Sequence, residues 1–265
     1  MEKLTTILVA VPEGGSKGVL FDKVVRLVRQ TGARVELFLA APSDYFAIAA
    51  RIRMLDCAIS VGYTPHDGAT PLTDAILARA AALRADLLVA PRTHWPLDDC
   101  PIPLLLLGEQ PWAREPRFAA AVDVAEEDSE SIARSIMHVG GFLAQRFDAH
   151  LDILYSEREL DDQRLRMERA VKIARLVREY HVGGERLQVF DGVPERVLPP
   201  LIAARQYDIL MLGTVQRHRT LLSEFRSVSK RLIGSTEGDV LLVEPRPAAS
   251  ALRSGSAGQQ LAHQA

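Results

Sequence analysis

The sequence predicts an α/β protein in which two similar halves each form a five-stranded parallel sheet flanked by helices. Two observations indicate this class: short apolar runs alternate with amphipathic segments, and the same order of segments occurs twice. The first apolar run, residues 6–12, has a counterpart at residues 118–124, which begins 112 positions later. Alternating strands and helices favour parallel sheets that are covered on both faces.

Each half is predicted to begin with this strand and to continue through three helices and four further strands. Helices are predicted where apolar residues recur three and four positions apart, as Val24, Val25 and Val28 do. Strands are predicted at short apolar or β-branched runs. In chain order, the predicted helices are 18–31, 43–56, 71–84, 129–147, 159–181 and 194–205. The other predicted strands are 34–40, 57–62, 85–91, 102–107, 150–155, 186–190, 207–213 and 239–244.

The two halves differ in length after the fourth strand. Leu210 and Gly238 are 28 positions apart, whereas the equivalent Leu88 and Pro101 are 13 apart. The longer segment holds a basic loop and a helix that the first half lacks. The second half therefore contains all the parts of a candidate phosphate site: a strand, a glycine turn, a basic loop and a helix.

Composition and charge narrow the classes of partner and location. The chain has 265 residues, of which 48% are hydrophobic and 25% charged, and its formal net charge is −2, so neither nucleic acid nor a membrane is expected as a partner. No run approaches the ~20 apolar residues of a membrane-spanning helix, and a cytoplasmic location is expected.

The predicted domains are residues 1–110 and 116–246, followed by a disordered tail at 247–265. Cys57 and Cys100 form no CxxC pair and are expected to be reduced thiols.

Five segments of the second half form a recognisable set. They are Val122-Asp123, Asp191-Gly192-Val193-Pro194, YDILMLGT at 207–214, SVSKRLI at 227–233 and DVLLV at 239–243. With these segments, residues 4–245 resemble the universal stress protein family, and specifically its tandem-domain members. The resemblance implies two tandem domains of that type, whose five-stranded sheets pair inside one chain as separate subunits pair in single-domain relatives.

The same resemblance implies a degenerate nucleotide site. In nucleotide-binding members the phosphate turn has the pattern G-x2-G-x9-G-[ST], which falls here on Gly213, Gln216, Arg226 and Ser227, so only the outer two positions match. Glycines matter in such a turn because they let backbone N–H groups approach phosphate oxygens at angles that a side chain resists. Any cofactor is expected to be ATP. The candidate site residues are Asp123, Val124, Val193, Gly213, Thr214, Arg217, Arg226, Ser227 and Val228.

Three functions from different classes stay open. The favoured one is a non-catalytic stress-response protein that acts through contacts with other proteins or with itself and binds nucleotide weakly or not at all. The second is a nucleotide sensor in which Arg217, Arg219 and Arg226 replace the missing glycines by charge-assisted hydrogen bonds, although these residues equally fit a solvated basic loop. The third is a carrier of a small hydrophobic ligand.

No enzyme is expected, because the usual catalytic motifs are missing. The sequence contains no G-x4-G-K-[ST], G-x-S-x-G or H-E-x-x-H pattern. His94, ahead of Asp98-Asp99, is interpreted as part of a surface loop rather than as a metal ligand. Glu126-Glu127-Asp128 is explained by the dipole of the helix it begins, and residues 158–181 are interpreted as an amphipathic helix that covers the sheet.

Overall fold

The chain folds as alternating strands and helices around a central sheet, which confirms the predicted α/β class. The structure is a computed structural model that describes residues 4–11, 18–39, 46, 50, 61–66, 68–92, 100–125, 127–157, 163–180, 185–214 and 231–245. Its strands are β1 (Thr6–Val11), β2 (Arg34–Leu39), β3 (Val61–Pro65), β4 (Leu87–Pro91), β5 (Leu104–Leu107), β6 (Arg117–Val122), β7 (His150–Glu157), β8 (Glu185–Asp191), β9 (Ile209–Gly213) and β10 (Asp239–Val243). Its helices are α1 (Gly18–Thr31), α2 (Leu72–Leu83), α3 (Glu127–Phe147), α4 (Gln163–Glu179) and α5 (Pro194–Arg205), with a further helical segment at 231–235.

The bounds of these elements follow the sequence pattern closely in some places and depart from it in others. The helices at 18–31 and 194–205 begin and end where the pattern predicts. The third strand of the first half is described at Val61–Pro65, and residues 57–60 of its predicted range lie outside the described residues. The predicted helix at 43–56, apart from the helical Phe46 and Ala50, and the tail at 247–265 lie outside the described residues. Among the helices that are described, none combines the length and the apolar character needed to cross a membrane.

All ten described strands belong to one sheet, in the order β3-β2-β1-β4-β5-β10-β9-β6-β7-β8. Neighbouring strands are parallel, except at the centre, where β5 and β10 run antiparallel with Leu105 opposite Leu241. Each half therefore contributes five parallel strands, and the last strand of each half joins the two. The predicted contact between the two sheets is confirmed, and it consists of edge-to-edge hydrogen bonding.

Helices cover both faces of the sheet. One face packs on α1, α3 and α4, through buried residues such as Ile136 and Leu176. The other face packs on α2, α5 and the segment 231–235, through residues such as Ile76 and Ile202. Because successive side chains of a strand point to opposite faces, a strand covered on both sides is apolar throughout its length.

An aspartate before each fourth strand holds the first strand of its half. Asp86 Oδ2 accepts hydrogen bonds from the backbone N–H groups of Thr5 and Thr6, at 2.7 and 3.0 Å. Asp208 Oδ2 accepts the equivalent bond from the N–H of Arg117 at 2.8 Å. The repeat in the sequence is thus also a repeat of contacts. β4 and β9 begin directly after these aspartates, two residues later than predicted.

A buried ion pair joins the two halves beside the β5–β10 pairing. Lys23 Nζ of α1 lies 2.7 Å from Asp239 Oδ1 of β10, and the two side chains are only 3% and 1% exposed. Asp239 also accepts hydrogen bonds from the Gly108 N–H at 2.7 Å and from Trp112 Nε1 at 2.6 Å, while Lys23 donates to the Gly108 carbonyl at 3.0 Å. Burial raises the pKa of the Asp239 carboxyl, and Lys23 and the N–H donors oppose that rise. Charges this deeply buried need partners of this kind, so the network helps to fix how the halves meet.

Candidate functional site

The predicted nucleotide site lies at the carboxyl edge of the second half. There β6 has β9 on one side and β7 on the other, so the chain leaves neighbouring strands in opposite directions. In α/β sheets, ligands bind in the crevice outside such a switch point. β6 and β9 pair from Phe118 opposite Ile209 to Ala120 opposite Met211, and Asp123 and Thr214 follow the ends of these two strands. The structure therefore places both predicted residues at the same edge of the sheet.

Asp123 and Val124 directly follow β6, and both contribute to the local fold. Asp123 is half-buried, and its Oδ1 accepts a hydrogen bond from the Ala125 N–H at 2.9 Å. Val124 is fully buried and belongs to the main core. One carboxylate oxygen of Asp123 thus closes the turn toward α3, and Val124 packs in the core instead of lining the crevice.

Gly213 ends β9 and is the first glycine of the predicted phosphate turn. A Cβ atom at this position would overlap Ile132 Cγ2 and would lie 3.5 Å from Ile136 Cδ1, both in α3. The φ angle of Gly213 is not positive. The close approach of α3 therefore explains the glycine without a phosphate. The next residue, Thr214, donates its N–H to the Val243 carbonyl at 2.9 Å and extends the pairing with β10.

Val193 lies at the same edge but is separated from Asp123 by β7. It immediately precedes α5 and is 41% exposed. Gly192 before it has a φ of +117°, a conformation that favours glycine, and donates its N–H to the Glu157 carbonyl at 2.8 Å. The structure thus leaves Val193 apart from the pair at the crevice.

The predicted basic loop is not among the residues that the structure describes. Arg217, Arg226, Ser227 and Val228 lie outside the described ranges, as do Gln216 and Arg219. Their place in a ligand site stays a prediction from the sequence. Arg231, the first described residue of the helical segment 231–235, is exposed.

Tyr155 near the end of β7 is a further residue of this edge, and sequence reasoning missed it. It pairs with Val122 across β6 and β7 and is 3% exposed, and its hydroxyl has no hydrogen-bond partner among the described residues. Burial raises the pKa of the Tyr155 hydroxyl; Arg169 opposes the rise, while Glu157 and Asp123 add to it. The signal available in the sequence was a tyrosine directly after the apolar pair Ile153-Leu154 of the predicted strand.

Side chains that could bind a metal ion are not gathered in the described ranges. No group of three His, Cys, Asp or Glu residues there has the arrangement of a metal site. Glu127 and Asp128 are exposed in the first turn of α3, where carboxylates stabilise a helix. Glu126 and His94, with its acidic neighbours, lie outside the described residues.

Comparison of the sequence with curated proteins finds relatives of one kind. Universal stress protein E of Escherichia coli K12 is 21% identical over 181 residues, which cover 61% of this chain and 57% of that protein. The homologue from Haemophilus influenzae is 21% identical over 167 residues, which cover 56% and 54% of the two chains. The chain thus spans less than two thirds of the length of these relatives. No protein-family model matches the chain.

Comparison of the fold extends the similarity to nearly the whole chain. A universal stress protein structure from Pseudomonas aeruginosa UCBPP-PA14 has a TM-score of 0.75 at 18% identity and covers 97% of this chain and 99% of its own. The chain is thus similar to universal stress proteins in part of its sequence and in its whole fold. A second structure of a universal stress protein, from Archaeoglobus fulgidus DSM 4304, has a TM-score of 0.64 at 10% identity and covers 92% and 97%.

The first half of the chain uses the equivalent edge to hold the second half. Arg92 follows β4 at the position that corresponds to Thr214. Its guanidinium donates hydrogen bonds to the carbonyls of Ile233 at 2.8 Å, Thr236 at 2.6 Å and Gly238 at 3.1 Å. Arg92 therefore satisfies the carbonyls at the end of the helical segment 231–235 and is committed to the contact between halves.

A cleft of about 520 Å³ opens at the opposite, amino edge of the second half of the chain. Trp112, Arg117, Tyr207 and Glu237 are among its lining residues. The Tyr207 hydroxyl donates a hydrogen bond to Asp152 Oδ2 at 2.7 Å, and burial together with this bond raises the pKa of Tyr207 to about 12. The lining residues come from separate segments of the chain, which is why no sequence motif marks the cleft.

Proposed function

We propose that this protein is a non-catalytic, cytoplasmic universal stress protein that acts through protein contacts and binds nucleotide weakly or not at all. The observation that carries the proposal is the position of Gly213. Its missing side chain makes room for Ile132 of α3, so the glycine that matches the phosphate motif already has a structural cause.

The neighbouring residues support the same conclusion. Val124 is buried in the core and has no exposed surface for a ligand to contact. One carboxylate oxygen of Asp123 already accepts a hydrogen bond within a turn. The sequence adds Gln216 and Arg226 at the two inner glycine positions of the motif. A side chain at a backbone angle that requires glycine costs about 1–3 kcal/mol, and its atoms also occupy the space of the phosphates.

Calorimetric titration with ATP tests the proposal. The wild-type protein is expected to show no saturable binding below about 1 mM, a limit of about −4 kcal/mol. Restoring both glycines in Q216G/R226G is expected to create or strengthen binding, because the backbone N–H groups regain access to phosphate. The matched control Q110G/R114G changes the same residue types at exposed positions of the linker and should leave binding unchanged. Wild-type binding in the low micromolar range would overturn the proposal.

The same experiment addresses the nucleotide sensor with a basic loop. If the wild-type protein binds ATP, R217A/R219A should weaken that binding, because the arginines would then replace the lost glycines. Mass analysis of small molecules released on denaturation of the gently purified protein distinguishes a nucleotide from a lipid-like ligand. Released adenine nucleotide would support the sensor, and a lipid-like molecule would support a carrier.

A further inference from the structure

Helix α4 uses little of its surface to pack on the sheet. Within the helix only Ile173 and Leu176 are buried, and Val177 and the adjoining Tyr180 are partly buried against the same core. Because an α-helix turns by about 100° per residue, these four side chains mark one side of α4. The other side faces solvent.

The solvent side of α4 carries an apolar stripe. Met167 and Val171 are 63% and 61% exposed, and Ala174 is also exposed. Their spacing of four and then three residues aligns them along the helix, roughly opposite the buried side. Single exposed apolar residues are ordinary on protein surfaces. A line of them at this spacing is the pattern by which two helices pack side by side.

The same helix is strongly basic. It contains six basic and two acidic residues, a net charge of +4, in a chain whose formal net charge is −2. Both acids have partners: Glu168 lies 3.7 Å from Lys172, and Glu179 pairs with Arg134 of α3. Arg175 and Arg178 are both exposed and lie one turn after Val171 and Ala174, and no salt bridge joins either of them to a described residue. Glu130 of α3 interacts with Arg175 at longer range but pairs with Arg134 and Lys172, so the stripe keeps an excess of positive charge beside it.

We infer that the outer face of α4, formed by Met167, Val171, Ala174, Arg175 and Arg178, docks an acidic amphipathic helix of a partner protein. The inference rests on the proposed function in protein contacts and names the surface that makes them. The apolar stripe supplies the seam of a helix pair, and guanidinium groups beside it bind carboxylates through paired hydrogen bonds. The stripe has no aromatic residue of the kind that anchors interfacial helices in lipid, which favours a protein partner over a membrane.

A designed acidic helix tests the surface on the full-length protein. The probe is a fluorescein-labelled peptide of about 28 residues with Leu and Ala at the heptad a and d positions and Glu at e and g, which discourages self-association. Fluorescence anisotropy is expected to show saturable binding with a Kd on the order of 10 μM. R175E/R178E should weaken this binding at least about tenfold, and M167S/V171S should do the same.

Charge reversal provides the specific control. R175E/R178E should bind a second peptide, with Lys in place of Glu, at least about tenfold better than the wild-type protein does. R186E/R196E reverses two exposed arginines on β8 and α5 and should bind both peptides as the wild type does. All of these side chains are exposed, so circular dichroism should show unchanged folding.

Two results would overturn the inference. One is equal binding of the acidic peptide by the wild type and by R175E/R178E. The other is binding of the wild type to phosphatidylserine vesicles without binding to the peptide, which would assign the face to a membrane. The ATP titration tests a separate statement. If the protein bound ATP tightly and still bound the peptide through α4, the nucleotide part of the proposed function would be wrong, and the inference about this surface would stand.

Discussion

The buried pair of Lys23 and Asp239 gives the most demanding test of how the two halves are held together. Asp239→Asn keeps the size of the side chain and removes its charge, so the Lys23 ammonium, with a side chain only 3% exposed, loses the carboxylate it pairs with. The new NH2 group is a donor that must face either Trp112 Nε1 or the donors Lys23 Nζ and Gly108 N–H. Breaking a buried pair in this way costs about 3–5 kcal/mol. Domains are stable by about 5–15 kcal/mol, so the loss is a large share of the total.

The partner substitutions separate the charge from the packing. Lys23→Met should cost less than Asp239→Asn, because Asp239 keeps its hydrogen bonds from Gly108 and Trp112 and its raised pKa makes protonation easier. The double variant K23M/D239N should cost less than the sum of the single changes by at least about 1 kcal/mol. Lys172→Met is the control, since its ion pairs are 3.7 and 3.8 Å long and partly exposed and should contribute less than about 1 kcal/mol.

Urea unfolding followed by far-ultraviolet circular dichroism measures these changes. Trp112 fluorescence in a Trp95→Phe background reports the junction between the halves. Both signals should move to lower urea together, because Lys23 and Asp239 belong to different halves. A loss below about 1 kcal/mol for Asp239→Asn, or strictly additive costs in the double variant, would refute the view that the pair joins the halves.

Three further predictions concern single side chains. Gly213→Ala should lower the free energy of unfolding by about 1–3 kcal/mol, because the new methyl group overlaps Ile132. The loss should be smaller in an Ile132→Ala background, and an equal loss in both backgrounds would contradict the packing argument. Burial raises the pKa of the Cys100 thiol from 9.0 to about 11. In a Cys57→Ser background, iodoacetamide should therefore alkylate Cys100 about 100-fold more slowly at pH 8 than it alkylates a free cysteine. An alkylation rate within about tenfold of that of a free cysteine would contradict this expectation. The raised pKa of Tyr207, about 12 against an ordinary 10.0, means that the folded state keeps this proton after the unfolded state has lost it. The stability that Tyr207 adds should therefore be complete below pH 10 and decline toward pH 12, so that the wild type and Tyr207→Phe converge; a constant difference over that range would exclude the shift.

Local patterns in the sequence were sufficient for the elements and their repetition. The helices at 18–31 and 194–205 could be bounded without a structure, because a buried apolar face at helical spacing is recorded directly in the residue order. Strand ends were less accurate. Asp86 and Asp208 belong to apolar segments in sequence, yet each bonds to the first strand of its half, and nothing nearby in the chain reveals that partner.

The candidate site divides in the same way. The sequence alone placed Asp123 and Gly213 at strand ends, because the ends of apolar runs can be located without a structure. It could not show that α3 approaches Gly213 through Ile132, since that contact depends on the packing angle of a helix. Nor could it show that the Tyr155 hydroxyl is buried or that the outer stripe of α4 is exposed, because the exposure of a side chain depends on its neighbours in space.

The sequence by itself determined the α/β class, the two halves and the family resemblance, since each follows from periodicities and motifs of a few residues. Only the tertiary structure decided that the halves form one sheet through β5 and β10, that Lys23 meets Asp239 across 216 positions and that Arg92 turns toward the second half. The physical reason is that short apolar strands such as LLLL and DVLLV have the same backbone hydrogen-bonding groups whichever strand they meet. Their choice of partner is fixed by the packing and buried charges of the whole fold.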